Sequence, residues 1–428
     1  MLCGIISTMI FLVLIVGCSK SNQTNIPVTG EMPAISGEGT EDAGDVVRKL
    51  MTVYDIHEND PCETVESSFC PEGLGDYYST LVDSVAATYY KPSSTYYNYV
   101  LVCDTQYRWS ASWGSYPRVR LYRLTTADEP TSTDYATIPG TDLKDPDGCD
   151  LIAVGNYLYA FVADSDEPEV LLYYWTLNAD GTLSNSTPTY GRAFSHDNMN
   201  HAQGIAATIT EDSSHYDLFV CSPKDNDIFI FDEGGNKNFE INIAPDQPVD
   251  VCITRYGNNN WIAYVAVRDS DSGFNDSIRC IKWTGSTYEY SHDAVDNDGD
   301  DDDDDKFPFI MSLSVLKAAV DSGNEHDTGT VCVLMGDHHD YRSYLLRQLD
   351  FGSTYNTYYK FFDDFTTTNY EVEVDGGMAS ESLAICRQYY SAGGGNYYQG
   401  YHYIFSDRDP DLNYSPGNNV LVFNNNES

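Results

Sequence analysis

The chain has 428 residues and carries 66 Asp and Glu against 23 Lys and Arg, a net charge of −43. A surface so acidic repels nucleic-acid phosphates and anionic lipid head groups and draws cations, which argues against nucleic acid as a partner. Eleven cysteines are present, but no CxxC or Cys/His spacing accompanies them, so a zinc site is not expected.

From the N-terminus, Ile5 to Gly17 is apolar except for Ser7 and Thr8. A bilayer-spanning helix needs about 20 apolar residues, so this shorter run reads as a signal-peptide core. It ends Leu14-Ile15-Val16-Gly17-Cys18, which resembles the lipobox of bacterial lipoproteins; the n-region, Met1 to Gly4, departs from the pattern in having no Lys or Arg. The resemblance implies cleavage after a signal peptide of residues 1–17, a lipid on the Cys18 thiol, and a membrane anchor. Ser19 stands where an Asp marks retention at the inner membrane, which implies the outer membrane or cell surface of a bacterial envelope. Residues 18–45 are rich in Ser, Thr, Gly, Pro, Asn and Glu, the composition of a flexible tether. Cys62 and Cys70 flank a short loop and could close a disulfide in an oxidising compartment.

From Val85 onward a unit recurs six times, the signature of a repeat architecture. Each unit has a short aliphatic strand, a second strand ending in a polar turn, and a third, often aromatic, strand. The first strands are Val85 to Tyr90, Leu151 to Val154, Gly204 to Ala207, Val251 to Ile253, Leu313 to Leu316 and Ser382 to Ile385. Short β-branched and aromatic runs separated by Gly, Asn and Asp read as antiparallel sheet. The fold class is all-β, a β-propeller of six four-stranded blades over residues 46–428; a two-sheet sandwich fits the regular recurrence less well. The last unit has no fourth strand before the chain ends, so the segment Val46 to Tyr54 is expected to supply it and close the ring. An acidic insertion at 293–306 separates the fourth and fifth units. Its Asp296, Asp298 and Asp300 around Gly299 resemble part of a calcium loop, although Ala294 holds the first position and no Glu the twelfth. A solvated acidic loop is the alternative.

The third unit carries Gly204-Ile205-Ala206 and then Asp225-Asn226-Asp227-Ile228-Phe229-Ile230-Phe231-Asp232, which resembles an NHL-type repeat. The second ends Leu177-Asn178-Ala179-Asp180-Gly181-Thr182-Leu183, which looks like repeats of the six-bladed lactonase and gluconolactonase propellers. The likeness implies fold more than activity; it also implies a Ca2+ ion in the propeller channel.

Aligning the units puts Asp83, Asp150, Gln203, Asp250, Ser312 and Glu381 just ahead of the innermost strands, where they would gather at the channel mouth. Converging carboxylates and an amide oxygen suit Ca2+; capping of strand ends is the alternative. Asp104, Asp164, Asp269, Asp337 and Asp407 end second strands and read as turn-stabilising residues. His338 and His339 with Asp337, and His201 near His196, are the candidate acid/base groups. No Gly-x-Ser-x-Gly, HExxH or phosphate loop accompanies them. Trp109, Trp113 and part of the 35 tyrosines would offer aromatic contacts to sugar or protein. Two functions follow: a lipid-anchored scaffold binding protein or glycan with Ca2+ assisting, or a Ca2+-dependent lactonase-like hydrolase with His338 or His201 as base.

Overall fold

The strands form where the sequence alternates large apolar or β-branched residues and breaks at Gly, Asn and Asp. In Tyr157–Asp164 the side chains of Leu158, Ala160 and Val162 pack to one side, and those of Phe161 and Ala163 to the other. The preceding strand, Pro146–Val154, joins it through Gly155-Asn156, and Gly155 has φ 59°. A positive φ at the first position of a two-residue loop suits glycine and matches the twist of the flanking strands. In the next sheet, the turn from the second strand to the third places Asn226 at φ 59° between Tyr216–Ser222 and Asp227–Asp232, so the Asp-Asn-Asp signature of the third unit is a hairpin turn.

The computed structural model describes, with side chains, most of residues 83–103, 119–124, 135–138, 143–208, 216–253, 263–268 and 276–290 and a few positions of 312–314, 382, 384 and 404; the strands of 26–27, 52–57, 78–79 and 310–425 are otherwise described through their backbone. Among the described residues every regular element is a strand, and no helix is long and apolar enough to cross a membrane. The strands group into antiparallel sheets whose order follows the chain, from an innermost strand outward, as in Gln247–Tyr256, Asn260–Arg268, Ser277–Trp283 and Tyr288–Val295.

These sheets pack face to face as blades of a β-propeller, and the core lies between them. Leu101, Leu121 and Val119 of the first sheet meet Leu151, Val162 and Trp175 of the second. Phe161 and Phe194 of the second meet Tyr216, Phe229 and Phe231 of the third, and Phe219 and Ile230 of the third meet Val251, Val265 and Tyr288 of the fourth. Side-chain packing thus defines four blades among the described residues. Two further sheets follow, one of Ile310–Val315 to Thr357–Phe362 and one containing Leu383–Ala392, Asn396–Ser406 and Val420–Asn425. Ala384 and Ile404 of the last pack on Val85, Val100 and Val102 of the first. The strand Thr52–His57 pairs antiparallel with Val420–Asn425, as Val53 with Phe423 and Tyr54 with Val422. Its residues 52–54 fall in the span 46–54 expected from sequence, whose earlier residues lie outside the described ones. Ile26–Pro27, inside the expected tether, pairs with Val53 and Thr52.

Four of the six innermost strands, Val82–Tyr90, Pro146–Val154, Gln247–Tyr256 and Ile310–Val315, begin earlier than their sequences suggest. These four shift register against their partners, at Val82/Ser84, Pro146/Gly148, Pro248/Asp250 and Ile310/Ser312. Such a bulge bends a strand and re-aims its side chains. Asp83, Asp150, Asp250 and Ser312 therefore lie within strands and not ahead of them, because Pro, Gly and Asp around a bulge read as a turn.

Candidate functional site: the axial chamber

All the innermost strands border one cavity of about 360 Å3 on the axis. An innermost strand has a sheet neighbour on one side only, so its alternate amides point away from its partner and need acceptors. Side chains of the preceding blade supply them. Ser84 Oγ accepts the Cys149 N–H at 3.1 Å, and Asp150 Oδ2 accepts that of Ala207 at 2.6 Å. Asp250 Oδ2 accepts the Leu313 N–H at 2.7 Å, and Ser382 Oγ that of Val85 at 3.0 Å. Each bond runs from the backbone of one blade to a side chain of the blade before it, so the four share one sense around the axis.

Between the second, third and fourth blades, glycine also brings the strands close. A Cβ on Gly148 would stand 2.0 Å from the Gln203 carbonyl oxygen. One on Gly204 would stand 2.4 Å from Asp250 Cα and 2.5 Å from the Val249 carbonyl oxygen. Only glycine fits either place.

Of the residues that sequence alignment gathered, Asp83, Asp150, Gln203, Asp250 and Ser312 all line the chamber. Glu381 lies outside the described residues, next to Ser382. Asp150 is buried, whereas Asp250 is partly open to the chamber. Burial in the ring pushes the Asp250 carboxyl up to about 7; the amides of Leu313 and Val251 and the Ser312 hydroxyl pull it down, and the Asp150 charge adds to the rise. The lining also holds Asp147 and, from the end of a second strand, the exposed Arg268.

The fit of the chamber to the calcium ion implied by the lactonase resemblance can be judged from these groups. Ca2+ requires six to eight convergent oxygens. Among the described residues no three His, Cys, Asp or Glu side chains stand close enough together to hold a metal, and Asp150 and Asp250 are engaged by neighbouring amides. Glu381, the remaining aligned carboxylate, lies outside the described residues.

The remaining candidates are spread out. His201 precedes the innermost strand Ile205–Ile209, is half-buried, and does not border the chamber. Burial, and then the Lys224 charge, hold its imidazole below the usual histidine range, while the Ser165 backbone and the Asp145 and Asp225 charges raise it. Asp164 is fully buried, and its carboxylate accepts amides of Lys144, Asp145, Asp166 and Glu167 at 2.7–3.3 Å, a turn-stabilising role. Cys103, Cys221, Cys252 and Cys280 are buried, as expected of cysteines inside apolar strands, and so is Cys149. Cys18, Cys62, Cys70, Asp296, Asp298, Asp300, His338, His339, Trp109 and Trp113 lie outside the described residues, as do the side chains of Asp104, Asp269, Asp337 and Asp407.

Sequence reasoning missed Ser84, Ser382, Gly148, Gly204 and Arg268. Ser84 and Ser382 each follow an aligned residue, Asp83 and Glu381, by one position, so a one-residue offset in the alignment would have found them.

No family model matches the chain, and no curated protein matches it. Among solved structures it is similar to the α-L-arabinofuranosidase Arb93A from Fusarium graminearum in complex with an iminosugar inhibitor. That match has 10% identity and a TM-score of 0.47, over 86% of this chain and 96% of that one. It is also similar to the Bombyx mori GH32 β-fructofuranosidase BmSUC1, at 9% identity and a TM-score of 0.39 over 84% of this chain and 63% of that one. A third is the Podospora anserina α-L-arabinofuranosidase PaAbf62A in complex with cellotriose, at 12% identity and a TM-score of 0.35 over 68% of this chain and 94% of that one. At these values the likenesses assign no activity, and the propeller rests on the blade packing and sheet order described above.

Proposed function

We propose that this chain is a non-enzymatic binding propeller of six blades that receives its ligand in the axial chamber. The observation that carries this reading is the chamber itself. It is bounded by every innermost strand, and its carboxylates Asp150 and Asp250 accept neighbouring amides. A catalytic pair would need a base within hydrogen-bond reach of its target, and His201 lies away from the lining. The six-bladed ring is supported by the contacts of the innermost strands, each with the next and the last with the first. Thr52–His57 would close it as the outer strand of the final blade.

The lipobox-like Leu14 to Cys18 supports anchoring through lipid on Cys18, at the outer membrane or cell surface, with residues 18–45 as tether. The protein or carbohydrate partner would meet the chamber mouth and its flanking loops. Calcium would act at Asp296, Asp298 and Asp300.

The test is a screen of mono- and oligosaccharides, small amines, lactones and esters on the full chain and on Ser314→Phe. Ser314 borders the chamber and is half-buried, so phenylalanine there fills space without replacing a bonded side chain of the ring. Binding without turnover, lost in Ser314→Phe, supports the reading. Turnover of a lactone or ester, or binding indifferent to Ser314→Phe, overturns it.

A further inference from the structure

We infer that the axial chamber takes a compact organic cation rich in N–H and O–H donors, an amino sugar or a short polyamine, in preference to a metal ion or a neutral sugar. The inference rests on the axial-binding reading above and names its ligand class.

Three observations carry it. The first is size: at about 360 Å3 the chamber falls in the range of small-ligand pockets, about 300–1,000 Å3, far beyond one ion. The second is charge. Asp83, Asp147, Asp150 and Asp250 line it, against the single guanidinium of Arg268, and the net charge of −43 deepens the negative field that such a cleft focuses. These carboxylates come from three different blades and include no group of three with metal-ligand spacing among the described residues. Dispersed acceptors around a wide space match a molecule with several separated donors; a metal needs them convergent.

The third is the direction of the hydrogen bonding. Four backbone donors at the chamber, the amides of Val85, Cys149, Ala207 and Leu313, are already taken by Ser382, Ser84, Asp150 and Asp250. The groups that face the space are acceptors, carboxylates with about four lone-pair positions each, although Asp250 already receives the amides of both Leu313 and Val251. A ligand entering this space meets acceptors and must bring donors.

The test is calorimetry of the full chain with glucosamine, N-acetylglucosamine, spermidine and Ca2+, using wild type, Arg268→Ala, Asp147→Asn and Ser314→Phe. Arg268 is exposed, and neither it nor Asp147 supplies one of the four inter-blade acceptors, so these variants leave the ring bonds intact. We expect an amine to bind and its neutral N-acetyl counterpart to bind at least about tenfold more weakly. Arg268→Ala should tighten amine binding by about three- to tenfold, and Asp147→Asn should weaken it by a similar factor, as one charge added or removed at close range predicts. A gain of affinity in Arg268→Ala is not a result that general damage to the fold could produce. Equal binding of the neutral sugar, or weaker amine binding in Arg268→Ala, overturns the inference but leaves the axial-binding reading intact if Ser314→Phe still abolishes binding. Calcium binding lost in Asp147→Asn also overturns it. Absence of any binding sensitive to Ser314→Phe removes both.

Discussion

Replacing Asp150 isolates the role of the axial carboxylates. Asp150→Ala removes the acceptor that stands 2.6 Å from the Ala207 amide and leaves a buried donor facing the chamber. A hydrogen bond to a charged group contributes about 1.5–3 kcal/mol, and an orphaned buried donor costs about 1–3 kcal/mol, the two being views of one loss. Some of it is offset, because the Asp150 charge also raises the Asp250 carboxyl and that repulsion disappears. The expected net destabilisation is about 2–3 kcal/mol, and at about 2–4 °C per kcal/mol for a large domain the melting temperature falls by about 4–12 °C. Asp150→Asn keeps an acceptor oxygen in place and should lose less than half as much. Circular dichroism melts of the three proteins at pH 7.5 read the difference. A drop under about 1 °C for alanine, or equal drops for alanine and asparagine, would refute the inter-blade bond as the role of this residue.

Four further outcomes follow. Gly204→Ala, which would set a methyl 2.4 Å from Asp250 Cα, should destabilise by about 2–3 kcal/mol or more, whereas Gly155→Ala meets nothing within 4 Å and should cost only about 1 kcal/mol for its positive φ; comparable denaturant midpoints would sink the close-approach argument. Asp250 has a folded-state pKa raised to about 7 from about 3.9 unfolded, so its contribution to stability is complete below about pH 4 and is lost as the pH rises through 7. Asp250→Asn should therefore gain on wild type as the pH climbs from 4 to 7.5, and a difference in melting temperature that stays flat or shrinks contradicts the shift. Deleting residues 45–56 strips Val420–Asn425 of its Thr52–His57 neighbour and exposes a strand edge; a large drop in melting temperature with aggregation is expected, and an unchanged melt would exclude ring closure by this strand. Arg123→Ala removes a 2.8 Å bond to the Tyr135 hydroxyl and a cation–π contact 4.7 Å over Tyr97, for about 1–2 kcal/mol by urea titration; no change would mean that water replaces both.

The blades were legible because their strands obey local rules. The alternation in Tyr157–Asp164 marks a strand, and the turns at Gly155 and Asn226 announce themselves through residues that tolerate positive φ. Alignment of the units also located the chamber, since Asp83, Asp150, Gln203, Asp250 and Ser312 all border it. Their role was less legible. An Asp at a strand start reads equally well as a metal ligand or as a cap, and the choice depends on which amide of another blade lies opposite, as Ala207 lies opposite Asp150 and Leu313 opposite Asp250. That pairing joins residues more than fifty positions apart, beyond any local pattern. The bulge at Val82/Ser84 hid Ser84 for a related reason: one extra residue moves the acceptor by one position while the apolar pattern stays unchanged. Gly148 and Gly204 carry no sequence signal of the close approach they permit.

The central claim is that the axial carboxylates bond to neighbouring backbones and not to a metal. Its most direct test is the melting temperature of the full chain in excess EDTA and in millimolar Ca2+, for wild type and for Asp150→Asn/Asp250→Asn. A metal bound only to the folded state would raise the melt in proportion to its saturation. The account predicts that any shift calcium produces is the same in both proteins. A rise of several degrees in wild type that vanishes in the double variant would contradict it.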